Sequence, residues 1–151
     1  MANPVDQTNY IQDFIDNIYT VINGYRSYIG FKSLSKTEDA FIPNYPAITI
    51  ELENMQEEWK SIPKRKTIMV TFAINYYYAN LSDKNVRQGL RTGLNKIANC
   101  LRENWDMNDY CPDLGSDILS VTPYVLASGD EIVAGGIVSI RCYKVISVAL
   151  T

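Results

Sequence analysis

The chain predicts an α+β protein: a two-layer α/β sandwich in α-β-β-α-β-β order, with a mainly antiparallel four-stranded sheet and its helices on one face. Three observations carry this reading. Two segments repeat apolar residues at spacings of three and four, the signature of amphipathic helices. Four other runs alternate with a period of two or are apolar on both faces, as strands are. Each strand pair follows a helix, and hairpins with helices laid over one side are the simplest way to bury those faces together. At 151 residues, one domain spanning 1–151 is expected.

The first helix is read over Asp6–Tyr25. Tyr10, Ile11, Phe14, Ile15, Ile18, Val21 and Ile22 form its stripe, Asp6 lies near the exposed N–H groups of its first turn, and Gly24 is a natural stop. Residues 24–46 then read as a long surface loop; Phe31–Pro46 is its polar, irregular part and carries Pro43 and Pro46. Ala47–Glu53 alternates cleanly, with Ile48, Ile50 and Leu52 inward and Thr49, Glu51 and Glu53 outward. Residues 54–66 lack a two-residue Asn-Gly type turn and are expected to form an extended hairpin tip.

Thr67–Asn80 is the most informative run. Ile68, Val70, Phe72, Ile74, Tyr76 and Tyr78 make one row, while Met69, Ala73 and Tyr77 interrupt what should be a polar row. Fully extended, it reaches about 45 Å, against about 17–20 Å for a usual strand. Its surplus apolar surface is expected to be covered by another chain, and the sheet face away from the helices to be apolar and tyrosine-rich. A second helix follows a Ser82–Asp83 cap and ends near Asn104, marked by Val86, Leu90, Leu94, Ile97, Leu101 and Trp105. Asp106–Asp117 is an acidic loop. Ile118–Ala127 and Glu131–Val148 close the chain as a hairpin through Ser128-Gly129-Asp130, and Pro123 marks the first of them as an edge strand or a bulged one.

Composition narrows the function. The formal net charge of −3 argues against general affinity for nucleic acid. No apolar run approaches the ~20 residues of a membrane span, and the opening MANPVDQTNY has neither the basic nor the apolar segment of a signal peptide, so neither is expected. Three widely spaced cysteines suit a reducing cytoplasm. With no histidine, the chain lacks the commonest general base and metal ligand. No cysteine stands near a visible base, and Asp106-Met107-Asn108-Asp109 starts like a calcium loop but places Tyr110 and Cys111 where a ligand and a glycine are needed. No catalytic, cofactor-binding or metal residues are therefore assigned, and no enzyme is expected.

Charge and glycine placement say more. The first helix carries Asp6, Asp13 and Asp16 and no cation; the second carries Lys84, Arg87, Arg91, Lys96 and Arg102 against Asp83 and Glu103. These faces can meet within the subunit, join identical neighbours, or simply be solvated. Lys60, Lys64, Arg65 and Lys66, beside Trp59, read either as a contact for nucleic-acid backbone or an acidic protein, or as charge that protects an exposed hairpin. Gly89 and Gly93 share a helix face, for close packing on the sheet or on a neighbour. Gly135-Gly136 lies within a strand, for a bulge or a close backbone approach.

The element order, the YYY-bearing long strand and the closing hairpin ASGDEIVAGGIVSIRCYKVIS resemble the tail terminator (tail completion) proteins of long-tailed bacteriophages. The resemblance implies a structural virion protein of the tail or neck, assembled in the host cytoplasm. Such a subunit closes into a homo-oligomeric, hexameric ring that caps the tail tube, ends its polymerisation and joins it to the head-tail connector protein. Its partners would be copies of itself, the tail-tube protein, the connector and, transiently, passing DNA. The candidate interface residues are Trp59, Lys60, Lys64, Arg65, Lys66, Met69, Tyr76, Tyr77, Tyr78, Arg87 and Arg91. An acidic dimeric α/β chaperone or adaptor holding an extended client is the alternative.

Overall fold

The computed structural model describes residues 8–36, 44–60, 64–79, 84–128 and 131–147. The long apolar run forms β3 (Arg65–Ala79), the middle of a five-stranded sheet. The first helical stripe becomes α1 (Tyr10–Gly24), followed by a single turn, α2 (Arg26–Ile29), and a short strand, β1 (Ser33–Ser35). Next come β2 (Ala47–Trp59), then after β3 a long helix, α3 (Lys84–Glu103), and the closing pair β4 (Ser116–Ser128) and β5 (Glu131–Ser147). The sheet order is β1-β2-β3-β5-β4, antiparallel throughout except for β1, which runs parallel to β2.

The mixed α+β class holds, but the sheet has five strands where four were expected, and the order gains α2 and β1. Both additions fall in the stretch read as loop. Ser33-Leu34-Ser35 is too short to show a period, and it is a strand only because it pairs with Ala47–Thr49; Lys32 N–H also donates to the Pro46 carbonyl at 2.7 Å. α2 ends where Gly30 turns into the left-handed region at φ 87°, a conformation that disfavours side chains.

The helices lie on one face of the sheet. Phe14 of α1 meets the Phe72 ring at 6.3 Å, and Gly93 of α3 lies against the Tyr76 ring. Phe72 and Tyr76 belong to the same alternating row, so both helices cover one side of β3. Phe14, Ile18 and Ile22 of α1, Leu94, Ile97 and Leu101 of α3, and Val138, Ile140 and Cys142 of β5 complete that core. Asn9 caps α1 by accepting the Gln12 N–H at 3.0 Å. The cap expected from Asp6, and the Ser82–Asp83 cap of α3, lie outside the described residues.

Glycine makes the close helix-on-sheet packing possible. A Cβ on Gly93 would fall 2.5 Å from the Tyr76 ring, and one on Gly89 would strike Tyr78. In β5, Gly136 leaves room for Leu94, and Gly135 accommodates the Tyr124 ring from the neighbouring strand. Close approach is therefore the role of both glycine pairs.

Three further expectations are corrected. Residues 54–59 are not a connection: β2 stays paired with β3 as far as Trp59 opposite Lys66, across one bulge between Leu52 and Asn54. Backbone pairing extends the strand even though its side chains lose their alternation, because both of its faces there meet solvent. Leu52, read as inward, is 39% exposed. The face away from the helices is only in part the tyrosine-rich apolar surface expected: Tyr77, Tyr124 and Tyr143 stand on it with Met69, Ala73 and Ile137, but polar residues lie among them. Its central rows carry Thr49, Thr71, Asn75 and Ser139, short polar groups sheltered beneath longer neighbours. Arg141 reaches over Thr71, donating to its Oγ1 at 3.1 Å, and Asn75 donates to Glu51.

Candidate assembly surfaces

The interface residues expected from the sequence divide into three groups. Tyr76 and Tyr78 belong to the subunit itself. Tyr76 is fully buried beneath Gly93, and Tyr78 packs 5.9 Å from its ring against Gly89. Their row faces the helices, so the interface reading of fully buried Tyr76 is corrected, while Tyr78 remains half-buried. Tyr77 and Met69 sit half-buried on the other face. Tyr77 and Tyr124 hydrogen-bond across Gly135, whose missing side chain lets the two rings meet; burial, and then the neighbouring Tyr77, push the Tyr124 phenol pKa upward.

The second group is the hairpin tip. Lys60 N–H donates to the Arg65 carbonyl at 3.0 Å, and Lys64 takes a positive φ of 66°, so the strands converge tightly and bring Lys60, Lys64, Arg65 and Lys66 together. Lys66 is half-engaged, with its ammonium 4.3 Å above the Trp59 ring and 3.9 Å from Glu57. The strands stay paired up to Lys60 and Arg65, and residues 61–63 of the tip between them lie outside the described residues. Trp59 remains 56% exposed.

The third group, Arg87 and Arg91, lies one helical turn apart on the flank of α3 that faces β4. With Leu90, Pro123, Tyr124 and Val125 they line a groove of ≈ 240 Å³. They do not meet the carboxylates of α1. Asp16 accepts Lys36 at 2.9 Å and also Gln12, and these hydrogen bonds hold its pKa below the usual carboxylate value. Asp13 accepts the Tyr110 hydroxyl at 3.1 Å. Among the described residues, no ion pair joins α1 to α3.

Sequence reasoning named Trp59 but missed the other exposed apolar residues of β2 and β4. On β2 the exposure is unbroken from Leu52 to Trp59 and includes Met55; on β4, Leu119, Val121 and Val125 are 46%, 39% and 62% exposed. The one signal for this was Pro123, which placed β4 at an edge, where the sheet order puts it. The free edge of β2 gave no comparable signal, because its glutamates resemble an ordinary solvated strand.

The remaining chemistry is inward-facing. Burial raises the Cys100 thiol to about 12 and the Cys111 thiol to about 11, and pushes Cys142 well above the ordinary value, so all three keep their protons at neutral pH. The stretch compared with a calcium loop is anchored through fully buried Met107, and Lys144 holds the Tyr110 carbonyl at 2.6 Å. Among the described residues no group of three cysteine or carboxylate side chains could hold a metal ion. Nor is any described helix long and apolar enough to cross a membrane. Compared with models of known protein families and with curated proteins, the chain matches none.

Proposed function

We propose that this chain is a structural subunit that assembles with copies of itself into a ring. In this reading the ring is a hexamer that caps a phage tail tube, stops its growth and joins it to the head connector. One observation carries the proposal: among the described residues, a sheet with a well-filled core on one side is open along two different strands, β2 beyond its three-residue partner β1 and β4, each showing exposed apolar side chains. An open edge invites pairing with another chain, and two unlike edges on opposite sides favour heterologous, head-to-tail contacts, which close into rings. The chain then acts by contact, not catalysis, and the cations of the hairpin tip supply weak, sequence-independent contact with DNA passing the ring.

Light scattering and negative-stain imaging, on the protein alone and with the tail-tube protein of the same virus, test the proposal. Rings in either condition support it. A strict monomer that also ignores the tube protein overturns it. A closed two-fold dimer that protects an extended client favours the acidic chaperone or adaptor instead.

A further inference from the structure

The two open edges differ in charge. β1 covers only Ala47–Thr49 of β2, and among the described residues no strand lies beside Ile50–Trp59. Glu51, Glu53, Glu57 and Glu58 crowd that edge around Leu52, Met55 and Trp59. The edge at β4 backs onto α3, where Arg87 and Arg91 flank the apolar groove floored by Pro123 and Val125. We infer that this groove receives the acidic β2 edge of a second copy, so that the sheet of one subunit continues from β4 into β2 of the next. The inference rests on the ring reading and names the contact that would close the ring.

Strand direction, side-chain face and register all agree with this pairing. Within a subunit β2 and β5 both run antiparallel to β3, and β4 runs antiparallel to β5. A second copy set beside the first without turning over therefore brings its β2 antiparallel to β4. Val121, Pro123 and Val125 stand opposite Val138, Gly136 and Ala134, on the helix side of the sheet. Met55, Glu57 and Trp59 stand opposite Val70, Ile68 and Lys66, on that same side. The continued sheet thus sets one apolar row beside the other and carries Glu57 toward the two guanidinium groups.

β1 acts as a stop for the register. An incoming β4 can slide no further along β2 than Ile50, which sets Ser128 beside Ile50 and Leu119 beside Trp59. Met55 then faces Pro123, and Gln56 faces Thr122 on the opposite side of the sheet. Pro123 has no N–H to offer, so at that level the contact depends on side chains.

Charge reversal tests the pairing. Arg87→Glu with Arg91→Glu, and separately Glu57→Arg with Glu58→Arg, should each raise the concentration needed for assembly at least tenfold while far-UV circular dichroism stays unchanged. Mixing the two variants should restore rings, because each reversed groove then meets a reversed edge and the subunits alternate. Gln56→Cys with Thr122→Cys in one chain should give a ladder of disulfide-linked oligomers under oxidation, and neither single variant should. Within one subunit β2 and β4 are three strand spacings apart, roughly 14 Å, too far for a disulfide. If wild-type rings form but reversal leaves them intact and no ladder appears, the pairing is wrong and the ring reading stands. If the wild type assembles neither alone nor on the tube protein, both fall together.

Discussion

Leu52 of β2 and Phe72 of β3 face each other across one ladder, yet Phe72 is fully buried while Leu52 is 39% exposed. The strands pair through most of their length, and both carry large apolar side chains. What separates them is their neighbours. β3 has a strand on each side and two helices above it, whereas among the described residues β2 beyond Thr49 has no strand on its far side. Sheet position, more than residue type, decides which apolar side chains stabilise the subunit and which remain for another chain.

The largest test of this contrast is the facing pair itself. Phe72→Ala should cost about 3–5 kcal/mol, as deletion of a buried ring does, while Leu52→Ala should cost under about 1 kcal/mol. Urea unfolding with unchanged m-values would measure both, and equal losses would break the comparison. Gly93→Ala comes next. Alanine normally gains up to about 1 kcal/mol over glycine inside a helix. Here its methyl would meet the Tyr76 ring, and a net loss of about 1–3 kcal/mol is expected. A stabilised variant would show that α3 does not press on β3 as described. Tyr110→Phe removes the hydroxyl that joins the Asp106–Asp117 loop to Asp13 of α1 and should cost about 1 kcal/mol, read from the thermal midpoint. Smallest of all, Trp59→Ala should change the isolated subunit by under about 0.5 kcal/mol and yet weaken assembly. A large loss of subunit stability would make the β2 arm part of the core.

Much of the fold was legible because strong periods survive in the sequence. Phe14, Ile18 and Ile22 announce α1, the Ile68–Tyr76 row announces the core face of β3, and Pro123 announces an edge strand. What escaped were elements whose existence depends on a partner strand. β1 is three residues held by Ala47–Thr49, and the outer half of β2 is held by the Thr67–Val70 side of β3. The candidate surfaces were legible only in part. The lysines of the tip and Arg87 with Arg91 stand where exposed charge was expected, while Tyr76 and Tyr78, equally aromatic and adjacent to Tyr77, turned inward.

By itself, then, the sequence determined the α+β class, the two amphipathic helices and the alternation that assigns each residue of β3 to one face or the other, since these follow from local periodicity. Only the tertiary structure decided how far the long strand's surplus is spent within the subunit. α3 descends on the Ile68–Tyr76 row because Gly89 and Gly93 let it come close, α1 meets the same row through Phe14, and Thr71 and Asn75 of the outer row are engaged by Arg141 and Glu51. Most of the exposed large apolar side chains are left instead on β2 and β4, Leu52, Met55 and Trp59 on the first and Leu119, Val121 and Val125 on the second, where among the described residues no strand lies beside β2 beyond Thr49 or on the outer side of β4.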